Sequence, residues 1–181
     1  MGSRPAIHSL TEEEYLRNSE YRHSEYIDGQ AVELNIGTSW HSSIQVACVL
    51  ALGSFLRARG GGRVYVELHC RLSIGGRLRY RLPDVAVILG DGGFQDFRYY
   101  EGAPDFVIEI RSPEDRIAAQ KRKIEDYFAN GCRLAWLIIP EDRSVLVYAP
   151  DAPMRVVLEG AILDLDPLLP GFELEVTEIF A

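Results

Sequence analysis

Two acidic residues and a lysine-bearing helix carry the chemistry this chain can offer. Asp84 follows Pro83 at the mouth of the strand-like run Val85-Ala86-Val87-Ile88. Glu109 interrupts a second such run, Phe106-Val107-Ile108-Glu109-Ile110, and a helical stretch with Lys121 and Lys123 comes next. Carboxylates at the ends of adjacent strands can hold a hard divalent cation, because such ions prefer oxygen ligands. A lysine alongside could orient a water or neutralise charge building on a phosphorane. That is the minimal kit of a metal-dependent phosphodiesterase. It works only if both acids reach the same face of the sheet and come close enough to share an ion.

Each of these residues also has a plainer reading. Asp84 could be a turn residue opening a strand, since X-Pro favours extended geometry. Glu109 lies in a run that reads as buried on both faces, where an unpaired charge is costly. A cation shared with Asp84, Arg111, or a helix lysine would each meet its need. Lys123 and Tyr127 are four apart and share one helical face. Ile117, Ile124, Tyr127 and Phe128 define the apolar stripe, with Lys121 and Lys123 flanking it on opposite sides. Either lysine can lean toward Glu109 or snorkel to solvent. Glu25 could supply a third carboxylate from the first hairpin or lie at the surface. His41 opens a long helix, where it could touch substrate or steady a ligand. His8, His23 and His69 show no ligand spacing, and no serine-histidine-acid order, phosphate-cradling glycine loop or dinucleotide fingerprint appears.

At 181 residues the chain is long enough to bury a substantial core, and one α/β domain over 1–181 is the expectation. Cys48, Cys70 and Cys132 lie far apart without paired spacing. That suits a reducing compartment better than a disulfide framework or zinc knuckle. The first twenty residues include Arg4, Glu12, Glu13, Glu14, Arg17 and Glu20, which do not form a signal peptide. The longest aliphatic run, 134–139, has the length of a buried strand and not of a membrane span. A cytoplasmic protein without membrane contact is expected.

The net charge of −8 argues against a nucleic-acid partner until its distribution is considered. Between Arg57 and Arg81 stand seven arginines against one acid, Glu67. Arg71, Arg77, Arg79 and Arg81 run directly up to Asp84. Such a ribbon can guide a phosphate chain beside an acidic pocket, or simply decorate a solvated hairpin.

Local signals place the elements. Thr11 before Glu12, Glu13 and Glu14 caps a short helix reaching about Ser19. Asp28-Gly29 between apolar flanks signals a hairpin. A helix runs from Ser39 or Ser42 to Arg59, with Ile44, Val46, Ala47, Leu50, Ala51, Phe55 and Leu56 as its apolar face, and Gly60-Gly61-Gly62 stops it. Strands follow at 64–68, 70–74 and 78–80, with Gly75-Gly76 as a turn. Residues 90–103, rich in glycine and aromatics, connect the two acidic strands and could lie over the site. Ser112 as N-cap, Pro113 at the first helical position and Asp115 open the lysine helix, and Asn130-Gly131 closes it. Strands at 134–139 and 144–148 precede a tail of short strands and turns.

Taken in order, these residues resemble the Uma-type putative restriction endonuclease family, a bacterial group within the PD-(D/E)xK nuclease superfamily. The carriers are Glu25 with Asp28-Gly29, His41, Pro83-Asp84-Val85-Ala86-Val87 and the run from Gly102 to Ile110. Ser112-Pro113, Lys123-Ile124-Glu125-Asp126-Tyr127, Gly131, Trp136-Leu137-Ile138 and Leu169-Pro170-Gly171-Phe172 complete the set. The resemblance implies a restriction-endonuclease-like core, a central mixed β-sheet flanked by helices with an N-terminal helix and hairpin. It also implies Asp84 and Glu109 as Mg²⁺ ligands. Lys123 looks like the superfamily lysine moved from strand to helix, at the place of the glutamine in the helical Gln-x-x-x-Tyr motif of RecB-like nucleases, with Tyr127 matching the tyrosine. The chain departs from the pattern at Arg111, where Glu-x-Lys would put the strand lysine. Arginine can clamp a phosphate but is a poor proton acceptor.

The expectation is therefore a Mg²⁺-dependent endonuclease acting on DNA, with Mn²⁺ as a substitute. Asp84, Glu109 and the Ile110 carbonyl would hold the metal, and Lys123 would orient or deprotonate the attacking water. Arg111 or Lys121 would hold the scissile phosphate, Tyr127 and His41 would contact substrate, and Glu25 would assist. Such nucleases commonly pair, and apolar edge residues in the tail fit a homodimer. Overall acidity and Arg111 favour a rival, a nuclease-fold binding or dimerisation module without activity. A third reading is a phosphodiesterase acting on small nucleotides.

Overall fold

Caps and turns fix the first elements. In a computed structural model describing residues 9–35, 38–90 and 98–181, helix α1 (Glu12–Arg17) starts at Thr11. The Glu14 amide donates to the Thr11 hydroxyl at 3.2 Å, and the Thr11 amide to the Glu14 carboxylate at 2.8 Å. This is a reciprocal capping box. Strands β1 (Ser24–Ile27) and β2 (Gln30–Glu33) turn through Asp28 and Gly29, at φ of 50° and 87°. Two successive positive φ values make the tight turn whose twist matches the flanking strands.

Helix α2 (Ser39–Arg59) is capped by the Thr38 hydroxyl and ends at Gly60. Strands β3 (Gly62–Val66), β4 (Cys70–Ile74), β5 (Arg77–Arg81), β6 (Val85–Leu89), β7 (Tyr100–Glu101) and β8 (Phe106–Ile110) follow. Helix α3 (Ile117–Phe128) links β8 to β9 (Leu134–Ile139), and β10 (Ser144–Ala149) to β13 (Glu173–Glu175), with α4 (Val176–Ile179), close the chain. Between them lie β11 (Ala152–Leu158) and β12 (Ile162–Asp164).

A six-stranded sheet has the order β11-β10-β9-β8-β6-β3, mixed because β8 and β9 are parallel while its other pairs are antiparallel. A second sheet, β2-β1-β5-β4-β7, carries the N-terminal hairpin. On β8 the side chains alternate between faces. Phe106, Ile108 and Ile110 join Ile44, Cys48, Leu52 and Leu56 of α2 in one core. Val107 faces the other way, with Ile124 and Tyr127 of α3 and Cys70 and Leu72 of β4. The six-stranded sheet thus lies between α2 and α3, as expected for a mixed sheet flanked by helices.

Several boundaries and faces differ from the local signals. Residues 112–115 form a turn, in which the Ser112 amide donates to Asp115 Oδ2 at 3.0 Å, and α3 begins only at Ile117 after Arg116. The buried stripe of α2 runs through Ile44, Cys48, Leu52 and Leu56, leaving Val46 and Leu50 exposed, because the helix presents its i, i+4 row to the sheet. By length and composition α2 could cross a bilayer; in the structure one row of it, Ile44, Cys48, Leu52 and Leu56, packs in the core. Helix α4 was not expected in the tail. Residues 91–97 of the glycine- and aromatic-rich stretch lie outside the described residues, as does His8.

Candidate active site

Strand register brings the two acids together. Strands β6 and β8 are antiparallel with Val85 opposite Ile108 and Ala86 opposite Val107, so one step further sets Asp84 opposite Glu109. Val85 and Val87 point to the α2 core, and Asp84 stands just before β6, its carboxylate beside His41 of α2, whereas Glu109 meets Lys123 and Tyr127 of α3. The Ile110 amide donates to Asp84 Oδ2 at 2.6 Å, and His41 Nε2 lies 3.2 Å from Asp84 Oδ1. Gln45, one turn beyond His41 on α2, donates to the Asp84 carbonyl at 2.8 Å.

Glu109 is all but inaccessible, at 1% exposure. Its Oε2 accepts from Lys123 Nζ at 2.7 Å and its Oε1 from the Tyr127 hydroxyl at 2.9 Å. Lys123 reaches it because α3 covers this face and buries Lys123, Ile124, Asp126 and Tyr127. The same ammonium donates to the Leu82 carbonyl at 2.8 Å and meets Glu25 Oε1 at 3.0 Å. Glu25 in turn accepts from Arg81 Nη1 at 2.5 Å and the Leu82 amide at 3.2 Å. Arg81 continues to Asp126 at 2.6 Å, and Asp126 also accepts from Arg79 at 2.8 Å. One chain of alternating charges thus runs from Arg79 to Glu109.

A cavity of about 420 Å³ opens onto this chain's end. Asp84, Glu109, Lys123, His41, Gln45 and Ile110 are among the residues that line it. Glu67 and Asp115 add two more carboxyl groups to the wall, so the cavity is acidic. Hard oxygen donors of this kind suit Mg²⁺ or Mn²⁺. Among the described residues no cluster of three or more His, Cys, Asp or Glu side chains could hold an ion. A cation at Asp84 and Glu109 would rely on water or substrate for its other ligands, which is how Mg²⁺ is commonly held.

The electrostatics follow from burial and charge order. Burial pushes the Glu109 carboxyl up to about 8; Lys123 opposes the shift and Asp84 adds to it. Burial disfavours the Lys123 ammonium, but Glu109, Glu25 and Asp84 outweigh it and raise the group above its ordinary value. The three carboxylates around it thus favour the charged form of Lys123. Burial would also raise Glu25, yet Lys123 and Arg81 leave it lowered. The hydrogen bond to Asp84 raises His41 against the effect of burial.

The expected site residues divide into three groups. Asp84, Glu109, Lys123, His41 and Ile110 meet at the cavity, Ile110 engaging Asp84 through its amide. Glu25 and Tyr127 are buried behind it and hold Lys123 and Glu109. Arg111 and Lys121 do not line it: Arg111 contacts Glu141 at 3.2 Å and the Asp115 carbonyl at 3.3 Å, and Lys121 is exposed. Of the arginine ribbon, Arg57, Arg59, Arg63 and Arg77 are exposed, while the three nearest the acids of the core are taken up in ion pairs. Arg71 pairs with Glu12 and Glu101, Arg79 with Asp28 and Asp126, and Arg81 with Glu25 and Asp126. Arg81, Asp126 and Gln45 were missed as site residues. Only Gln45 left a signal, its i+4 spacing from His41.

The family model described as "Uma2: Putative restriction endonuclease" matches residues 12–177. A crystal structure from Anabaena variabilis, described as a putative nuclease belonging to DUF820, is 26% identical and superposes with a TM-score of 0.82. The match covers 94% of this chain and 97% of that one. No curated protein matches.

Proposed function

The chain belongs to the Uma2 family, described as putative restriction endonucleases, and from that premise we propose that it is a metal-dependent nuclease hydrolysing phosphodiester bonds in DNA. The observation that carries this reading is the convergence of Asp84, Glu109 and Lys123 on one cavity. The Anabaena protein's description as a putative nuclease, at a similarity spanning nearly both chains, supports the same class of reaction.

In this reading Asp84 and Glu109 hold Mg²⁺ or Mn²⁺, with the Ile110 carbonyl as a further oxygen. When bound, the ion supplies Lewis-acid neutralisation of the phosphoryl oxygens. Lys123 places an ammonium beside Glu109, where negative charge accumulates as water adds to phosphorus. Its three acceptors, Leu82, Glu25 and Glu109, fix that charge before substrate arrives, so little reorganisation is needed during reaction. Tyr127 and Glu25 keep Glu109 and Lys123 in place. His41 holds Asp84 and faces the cavity, where it can donate to a phosphate oxygen. Arg111 and Lys121 would need to move to reach a phosphate held there.

The test is cleavage of plasmid and single-stranded DNA with Mg²⁺ or Mn²⁺. Asp84→Ala should abolish cutting and weaken Mn²⁺ binding in the same protein, read by gel and by calorimetry. Intact DNA with Mn²⁺ demonstrably bound would overturn the proposal. The rival reading, a nuclease-fold module without activity, draws support from the acidity of the chain and from Arg111. It predicts no Mn²⁺ heat at millimolar concentration.

A further inference from the structure

An acidic cavity with its neighbouring arginines locked in ion pairs raises a question of affinity. Something must hold a polyanion against a wall bearing Glu67, Asp84, Glu109 and Asp115. A second cavity, of about 360 Å³, answers in charge and in position. Arg17, Arg22 and Arg98 line it together with Tyr15, Tyr21 and His69, and no acidic residue is among its described lining.

The two linings alternate along the same two segments of chain. Arg22 lines the basic cavity while its neighbour His23 lines the acidic one. Glu67 lines the acidic cavity while His69 lines the basic one. The segments are tied where His69 Nε2 meets the Arg22 carbonyl at 3.1 Å and His69 Nδ1 meets the Tyr15 hydroxyl at 3.1 Å. Tyr15 also donates to the carbonyl of Ser24, the residue before Glu25, so the basic cavity is anchored to the strand that holds Lys123. The ring of Tyr21 lies nearly parallel to that of Tyr15, with centroids 6.0 Å apart, and extends an aromatic stack to the cavity. Arg17 pairs with Glu13, but both side chains are largely exposed, and such pairs yield readily to a stronger anion.

We infer that this basic, tyrosine-lined cavity is a subsite for an unpaired nucleotide of the strand whose neighbouring phosphate enters the acidic cavity. The inference rests on the nuclease reading above for the identity of the strand. Arg17 and Arg22 take the phosphate, and Tyr21 offers a π face on which any base can stack, the combination by which single strands are held without sequence preference. This division of labour lets a chain of net charge −8 retain nucleic acid: the metal-binding cavity stays acidic and the next compartment supplies the cations.

The experiment uses the full chain, a fluorescein-labelled oligothymidylate in metal-free buffer, and the double variant Arg17→Glu/Arg22→Glu. Both positions are exposed, so the fold should be kept, which melting curves check. The variant should bind the oligonucleotide at least tenfold more weakly. The slope of log affinity against log salt should also fall by about 0.7, the value for one lost phosphate contact on a single strand. Tyr21→Leu, which keeps apolar bulk but removes the ring, should weaken binding severalfold without changing the slope. Hydrolysis of bis-p-nitrophenyl phosphate with Mn²⁺, which needs only the acidic cavity, should be the same in all three proteins. Equal oligonucleotide affinity in variant and parent, no binding by the parent, or thymidine monophosphate binding as tightly as the oligonucleotide would each overturn the subsite. Failure of the parent to hydrolyse the small phosphodiester, with arginine-dependent strand binding retained, would instead overturn the nuclease reading and leave the subsite standing.

Discussion

Replacing Arg81 with methionine tests whether the buried charge chain is what seats Lys123. Arg81 donates to Glu25 at 2.5 Å and to Asp126 at 2.6 and 2.8 Å, so Arg81→Met removes the cation shared by two buried carboxylates. Breaking one member of a buried pair costs about 3–5 kcal/mol when the partner is left alone. Here neither partner is alone. Asp126 keeps Arg79 at 2.8 Å, and Glu25 keeps Lys123 at 3.0 Å and the Leu82 amide at 3.2 Å. The expected loss is accordingly about 2–3 kcal/mol.

Its pH dependence has a definite sign. Glu25 is lowered below its ordinary value because Lys123 and Arg81 overcome burial. A carboxyl with a lowered folded-state value contributes stability that is present above its unfolded value, about 4.3, and is lost as pH falls through the folded one. Without Arg81 that contribution shrinks, so the gap between parent and variant should be full at pH 7.5 and narrow from about pH 5 downward. Urea unfolding at several pH values, followed by the fluorescence of fully buried Trp136 and by circular dichroism, measures both. A loss under about 0.5 kcal/mol at pH 7.5, within the range of an ordinary surface change, would refute the reasoning. So would a gap that widens on acidification.

Three further outcomes follow from the same geometry. Lys123→Met should lower the DNA cleavage rate by about 10²–10³, the usual effect of removing one preorganised charge at a developing anion, in single-turnover assays with Mn²⁺. Lys123→Arg should not restore it, because a planar fork cannot make the three contacts to Leu82, Glu25 and Glu109. Tyr127→Phe removes the donor to Glu109 Oε1 and should cost about 1–3 kcal/mol in urea unfolding. The three cysteines are free and buried, and burial raises Cys48 and Cys132 to about 12 and Cys70 well above its ordinary value. Native protein should therefore leave Ellman's reagent unreacted over minutes, and all three thiols should titrate in guanidinium.

Glu109 shows what could be read from the residues and what could not. A glutamate in an apolar run had to be buried and had to have a partner. Sequence left three candidates open, a shared cation, Arg111 or a helix lysine. The structure places Lys123 and Tyr127 on its two oxygens and sends Arg111 to Glu141. Which lysine turned inward depended on the rotation of α3. Two positions either side of an apolar stripe are equivalent in a helical wheel, and only the sheet beneath breaks the tie. Ser112 and Pro113 mark a helix start by composition, yet Asp115 closes a turn there instead, because its carboxylate takes the Ser112 amide directly.

The arginine ribbon is the sharpest contrast. Composition located the positive charge between Arg57 and Arg81 and could not say whom it faced. Arg71, Arg79 and Arg81 are consumed by acids from α1, the first hairpin, β7 and α3 that lie far from them in sequence. Short-range signals, the Thr11 cap, the Asp28-Gly29 turn, the period of β8 and the acid at each of two strands, act within a few residues and are therefore written in the chain. Convergence is different in kind. That Asp84 and Glu109 line one cavity, and that Lys123 and not Lys121 joins them, were decided by strand register and helix docking. Those depend on the whole core being packed at once, since a one-residue slip would send the same side chains to the opposite face.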